Sequence, residues 1–189
     1  MKNQDKIILD LCGGTGAWSK PYKDAGYDVH LVTLPGNDVC NYEPPAGVYG
    51  ILAAPPCQHF SYARSRAWIP RDMASALDIV HACINIIWRC QLNAWNAGRI
   101  DTFRFWAIEN PRGYLDRFLG DAVMKFHPYC FGDLYTKETH LWGMFNPPAF
   151  TMHVGKIVSM GEYTNEAKSA VIRSITPPGF AKAFYLANR

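Results

Sequence analysis

Short apolar runs alternate along the chain with stretches of helical spacing, and that pattern predicts strands and helices in turn. Residues 6–12 form an aliphatic run that ends in Gly13, Gly14, Thr15 and Gly16. Residues 17–25 then read as a helix stopped by Gly26, and residues 27–33 as a second strand, which together make one βαβ unit. Residues 34–47 carry Pro35, Gly36, Asn37, Pro44, Pro45 and Gly47 and read as loop with one short strand around Val39. A buried strand follows at 48–53. Residues 71–97 are helical, with Leu77, Val80, Ile84, Ile87 and Trp88 on one side and Trp95 near the Gly98 stop. Residues 105–108 read as a strand, the runs 123–131 and 140–145 as a pair at the sheet edge, and 179–187 as a closing helix introduced by Pro177 and Pro178. The predicted class is α/β, a mainly parallel, doubly wound sheet with an antiparallel edge strand.

At 189 residues the chain suits one domain spanning 1–189. Apolar residues make up 49% and charged residues 19%, a globular composition, and no window reaches the roughly 18 uncharged apolar residues of a membrane span. Residues 1–6 are polar and lead straight into a strand, which leaves no room for a secretory signal. The six cysteines lie far apart with no Cys-x-x-Cys pair, and no histidine joins them at ligand spacing, so neither a disulfide framework nor a metal site is expected. A reduced cytoplasm is the expected location. The net charge of +3 is compatible with a polyanionic partner without requiring one.

Three segments carry candidate chemistry. Pro55 and Pro56 fix two φ angles near about −65° and direct Cys57 as the chain leaves the sheet, as a nucleophile needs; a buried structural thiol is the alternative. The turn from Asp10 through Cys12, Gly13, Gly14, Thr15 and Gly16 presents amides to a ligand at the start of a helix, although a merely tight turn has the same composition. No Gly-Lys-Ser/Thr follows and the dinucleotide fingerprint is incomplete, which favours S-adenosylmethionine over nucleotides. The strand from Phe105 delivers Glu109 and Asn110 to the same sheet edge as Cys57, the alternative being that Glu109 caps a helix near Pro111.

Together these segments, in this order, resemble the cytosine-5 methyltransferases that use S-adenosylmethionine. The resemblance implies a Rossmann-like class I methyltransferase fold, DNA as partner, and transfer of a methyl group to C5 of cytosine through a covalent adduct of Cys57 with C6. It implies a catalytic set of Cys57, Glu109 and Asn110. The cofactor set it implies is Asp10, Cys12, Gly13, Gly14, Thr15, Gly16, Asp38, Pro55, Ser174 and Ile175. Pro56, Gln58, Ser61, Arg64, Arg66, Lys137 and Thr139 are the implied substrate contacts. The segment 173–183 is similar to the family's last motif, whose helix returns beside the cofactor.

The chain also departs from the family. Cys12 stands where an aromatic ring normally packs on adenine, and 31–35 holds no clear counterpart of the acid that binds the ribose. The family's Gln-x-Arg-x-Arg motif aligns with 135–139, so Lys137 keeps a cation while Thr139 or His140 has to replace the second arginine. Only about 30 residues, 146–174, stand where a target-recognition region is inserted, too few for an independent core. Very short or relaxed sequence specificity follows, as in a compact virus-encoded or restriction-modification enzyme. The loop 58–71 offers Arg64, Arg66 and Arg71 among Tyr62 and Trp68, a mix suited to phosphates and a splayed base or to an ordinary solvated loop. The alternatives are action on RNA or a free nucleotide, transfer of another group to C5, and a non-catalytic DNA-binding relic.

Overall fold

The computed structural model describes residues 2–64, 68–151, 155–163 and 174–189. Its elements are β1 (Ile7–Leu11), α1 (Lys20–Asp24), β2 (Asp28–Val32), β3 (Val48–Ala53), α2 (Met73–Asn96), β4 (Phe105–Pro111), α3 (Asp116–Leu119), β5 (Met124–Phe126), β6 (Tyr135–Thr136), β7 (Thr139–Met144), β8 (Val158–Ser159), α4 (Met160–Tyr163) and α5 (Pro178–Ala187). Six strands form one sheet in the order β2-β1-β3-β4-β7-β5, and β6 and β8 form a small parallel pair beside it. The protein is a mixed α/β molecule whose mostly parallel sheet is flanked by helices, an arrangement compatible with a Rossmann-like fold.

Alternating side chains build a core on each face of the sheet. Leu9, Leu11, Ile51, Ala53 and Ile108 point to α2 and meet Val80, Cys83, Ile87 and Cys90. Ile8, Leu52, Phe105 and Ala107 point the other way and meet Trp18, Tyr22, Phe180 and Phe184 of the α1 and α5 side. Phe184 lies in edge contact with Trp18 and Phe105, ring centroids 5.4 and 5.8 Å away, so the closing helix is anchored beside the glycine turn.

Several expectations need correction. The antiparallel strand, β7, lies one place inside the edge, between β4 and β5. It is six residues long with four buried, whereas β5 has three and leaves little unpaired backbone at the rim. The helix expected over 17–25 shrinks to α1, because residues 14–19 are turns with Gly14 and Gly16 at φ 55° and 71°. The strand expected near Val39 is a 3-10 turn, Val39–Asn41, where the Asp38 carboxylate accepts from the Cys40 amide at 2.9 Å and offers the backbone a local partner instead of a ladder. β4 continues to Pro111, so Glu109 sits in a strand and caps no helix. Trp88, grouped with the helix's apolar side by its spacing, is exposed, as is Trp95, while Trp142 is buried and donates to the Gly120 carbonyl at 2.9 Å.

By length and composition alone α2 is apolar enough to cross a membrane, yet it carries Asp78 and Arg89 and one of its sides builds the core.

Candidate functional site

The chain runs from β1 out to β2 and then crosses back to β3 on the other side of β1, which opens a crevice where the carboxyl ends of β1 and β3 diverge. The glycine turn leaves β1 there, and the Cys57 loop leaves β3. The Ala54 amide donates to the Leu11 carbonyl at 2.9 Å, so the two segments start side by side.

Asp10 is fully buried at the end of β1. Burial pushes its carboxyl up to about 6, against the opposing effect of Ser19, whose hydroxyl donates to Oδ2 at 2.5 Å. Its other oxygen, Oδ1, has no hydrogen-bond partner among the described residues. A Cβ on Gly13 would stand 2.1 Å from that oxygen, so the close approach of backbone to carboxylate requires glycine. Cys12 has φ 58° and turns its side chain onto the α2 core, where its thiol meets that of Cys83; this contact lowers the Cys12 pKa and raises that of Cys83. Asp10 and Asp38 both act on the Cys12 thiol electrostatically, which puts the three residues in one neighbourhood. Cys12 faces the core as a packing residue, a role its sequence position did not reveal.

The Cys57 loop is fastened to β4 at several points. Asn110, buried in β4, donates from Nδ2 to the Pro55 carbonyl at 2.8 Å. The Tyr114 amide donates to the Phe60 carbonyl at 3.0 Å, and Ser61 forms a bridge with Gly113. A Cβ on Gly113 would lie 2.4 Å from the Phe60 carbonyl oxygen, so only glycine permits this approach. β3 and β4 are parallel neighbours, Ala53 opposite Ile108, and Glu109 therefore emerges beside the segment that carries Cys57. Burial raises the Glu109 pKa and the Lys137 ammonium, with Nζ 4.0 Å from Oε1, opposes that rise. Cys57 and Lys137 line one open cleft of about 580 Å³ together with Gln58, Ser61, Arg64 and Ser174.

Other expected contacts are placed differently. Arg64 lines the cleft, but its guanidinium donates to the Ile69 carbonyl at 3.0 Å and lies 3.3 Å from His59 Nδ1. Arg71 donates to the His59 and Ser61 carbonyls at 2.6 and 2.9 Å. Both side chains brace the loop internally. Arg66 lies outside the described residues. Thr139 is buried and its hydroxyl donates to the Lys137 carbonyl at 3.0 Å; His140, also buried, is not among the described residues that line the cleft. Pro56 and Ile175 are exposed, as is the whole of Trp68.

Arg112, Glu138 and Met160 line the cleft without having been singled out in the sequence. Arg112 pairs with Glu138 at 3.3 Å, and Glu138 lies 3.1 Å from His140 Nε2, whose Nδ1 is 2.9 Å from Asp116. Asp116, His140, Glu138 and Arg112 thus form one polar chain from the interior to the cleft rim. The signal for Arg112 was its position directly after Asn110 and Pro111; Glu138 had none beyond adjacency to Lys137.

Comparison with protein-family models and with curated proteins finds no match for this chain.

Proposed function

We propose that the chain is a class I, S-adenosylmethionine-dependent DNA cytosine-5 methyltransferase with Cys57 as its nucleophile. One observation carries the reading: Asn110 ties the Pro55 carbonyl of the nucleophile loop to the strand that bears Glu109, while Lys137 joins Glu109 to the cleft that Cys57 lines. A thiol and a carboxylate distant in sequence are thereby held to one place, as addition to a pyrimidine demands.

The residues at the end of β1 fit the cofactor. The unpartnered, buried Oδ1 of Asp10 suits the ammonium of its methionine moiety, and the turn of Gly13, Gly14 and Gly16 leaves room for the backbone to approach it. Asp38 is close enough to contribute. When bound, S-adenosylmethionine supplies an electrophilic methyl group.

The protein's own groups do the rest. Cytosine C5 is a poor nucleophile until another group adds at C6, and a thiol with an unperturbed pKa of about 8.5 needs a neighbouring cation to ionise at neutral pH. Lys137, on the same cleft, supplies that cation. The Cys57 sulfur bonds to C6 and the electrons of the C5–C6 double bond move toward C5 and N3. Glu109, whose pKa burial raises, donates a hydrogen bond to N3 and limits the charge on the ring. Once C5 has taken up the methyl group that the cofactor would supply, loss of the C5 proton to solvent base restores the C5–C6 double bond and expels the Cys57 thiolate. Because a base inside a duplex is out of reach, the target must leave the stack; the exposed indole of Trp68 and the Tyr62 ring at the cleft are suited to receive neighbouring bases.

Nucleoside mass spectrometry of DNA from cells that express the protein tests this. The expected result is 5-methylcytosine, lost in Cys57→Ala and Glu109→Gln. Methylated RNA or free nucleotide with unmodified DNA selects the other substrates, and a fully active Cys57→Ala protein would falsify the mechanism.

A further inference from the structure

Helix α2 has a second apolar side that no part of the protein covers among the described residues. Trp88, Leu92 and Trp95 recur at helical spacing on one stripe and are 65%, 57% and 69% exposed. Half-buried Ile84 continues the stripe toward the helix start. The core side of the same helix, through Val80, Cys83, Ile87 and Cys90, is fully occupied, so the stripe is not a misplaced core. Isolated exposed leucines are ordinary, but two indoles and a leucine in a row leave about 400 Å² of apolar surface in water, the scale at which a patch marks an interface.

The chemistry around the stripe narrows its occupant. From Ile79 to Gly98 the only Lys, Arg, Asp or Glu is Arg89, and its guanidinium is already paired with Glu43. The flanks are neutral amides, Asn85, Asn93 and Asn96. No cluster of free cations stands ready for phosphates or an anionic membrane, and an uncharged centre with indole anchors is the composition of a protein–protein interface. The spacing is also self-complementary. Trp88 lies four residues before Leu92 and Trp95 three after it, so a two-fold axis between positions 91 and 92 brings Trp88 of one copy onto Trp95 of the other in an antiparallel helix pair. No like charges meet in that arrangement apart from the neutralised Arg89. The stripe alone covers about half of the roughly 800 Å² per partner of a standard interface, and the amide flanks supply a rim.

We infer that the exposed α2 stripe is an isologous interface at which two copies of this chain pair through Trp88, Leu92 and Trp95. The inference is independent of the catalytic reading, since nothing in it involves the Cys57 cleft.

Sedimentation velocity of the full chain from about 1 to about 100 µM tests it. A dimer is expected, with Leu92→Glu weakening association by about a hundredfold or more, while the circular dichroism, and the melting temperature at concentrations where both proteins are monomeric, stay unchanged. Residue 92 lies beside the proposed axis, so Leu92→Cys treated with oxidised glutathione should give a covalent dimer; two thiols become one disulfide as one glutathione disulfide is reduced to two glutathiones. His81→Cys, three turns away, and the wild-type protein with its native cysteines should not crosslink. A monomer throughout the range, a dimer that survives Leu92→Glu, or equal crosslinking at position 81 overturns the inference. Flotation of a monomeric wild-type protein with phosphatidylcholine vesicles, abolished by Leu92→Glu, would assign the stripe to a membrane and overturn it as well.

Discussion

Asp10 shows what burial does to a single group. Burial raises its carboxyl from the ordinary value of 3.8 to about 6 in the folded protein. For an acid this means that the favourable, protonated form is present below the unfolded value and that stability is lost as pH rises through about 6, by about 3 kcal/mol in all. A ligand ammonium would reverse that penalty by pairing with the ionised form. S-adenosylmethionine binding should therefore tighten as pH rises through about 6, as calorimetry at a series of pH values will measure. Asp10→Asn should weaken binding, flatten its pH dependence and raise the melting temperature of the unliganded protein at neutral pH. Glu109 gives a second handle. On the proposed mechanism it donates to N3, so turnover should fall on the alkaline side, and Lys137→Met, which removes the cation that opposes the rise in its pKa, should move that limb to higher pH. An unmoved limb would detach Glu109 from the rate. Cys57 and Glu109 were legible because their neighbours are contiguous: two prolines fix one and Asn110 follows the other. Arg112 and Glu138 were not, because their pairing depends on β4 and β7 lying antiparallel, with Pro111 opposite Thr139.

The elements that matter most are those whose ends carry chemistry. β3 and β4 owe their positions to alternating apolar residues, and the loop between Pro55 and Tyr62 is held down by the exit of β4 at Gly113. Gly113→Ala forces a methyl group against the Phe60 backbone, which cannot yield as a flexible side chain would. We expect a loss of about 2 kcal/mol in chemical denaturation together with a larger proportional loss of activity, since the displaced segment bears the proposed nucleophile. Normal stability and activity would show that the loop is held elsewhere. β3 and the long helix were readable to within two residues because their patterns are strong and uninterrupted. The shortfall in α1 has a local cause, the positive φ angles of Gly14 and Gly16, and so does the 3-10 turn after Asp38. The outer side of α2 was misread because indoles count as core in any apolar pattern, whatever side of the helix they occupy.

At the scale of the whole molecule, the aromatic cluster under α5 joins the end of the chain to its beginning. Phe184 touches Trp18, Phe105, Phe145 and Phe180, so Phe184→Ala should cost about 3–5 kcal/mol in denaturant unfolding and loosen the glycine turn with it. A loss below about 1 kcal/mol would show that the closing helix contributes little to the core. The α/β class and the parallel strands followed from alternation along the chain. So did the pairing of the last two runs at the sheet rim, but not which of them is outermost, because a three-residue β5 has no fixed place until β7 is in position. The same limit hides the polar chain from Asp116 to Arg112, which exists only once two strands and a helix have met.

The central claim is that the Cys57 sulfur adds to C6 of a cytosine. The most direct measurement is peptide mapping of the protein incubated with S-adenosylmethionine and an oligonucleotide containing 5-fluorocytosine, whose fluorine cannot leave as the C5 proton does and so halts the reaction at the covalent stage. The account predicts a nucleotide adduct on the peptide that contains Cys57, absent from Cys57→Ala. An adduct on another cysteine, or methylated product from the Cys57→Ala protein, would contradict it.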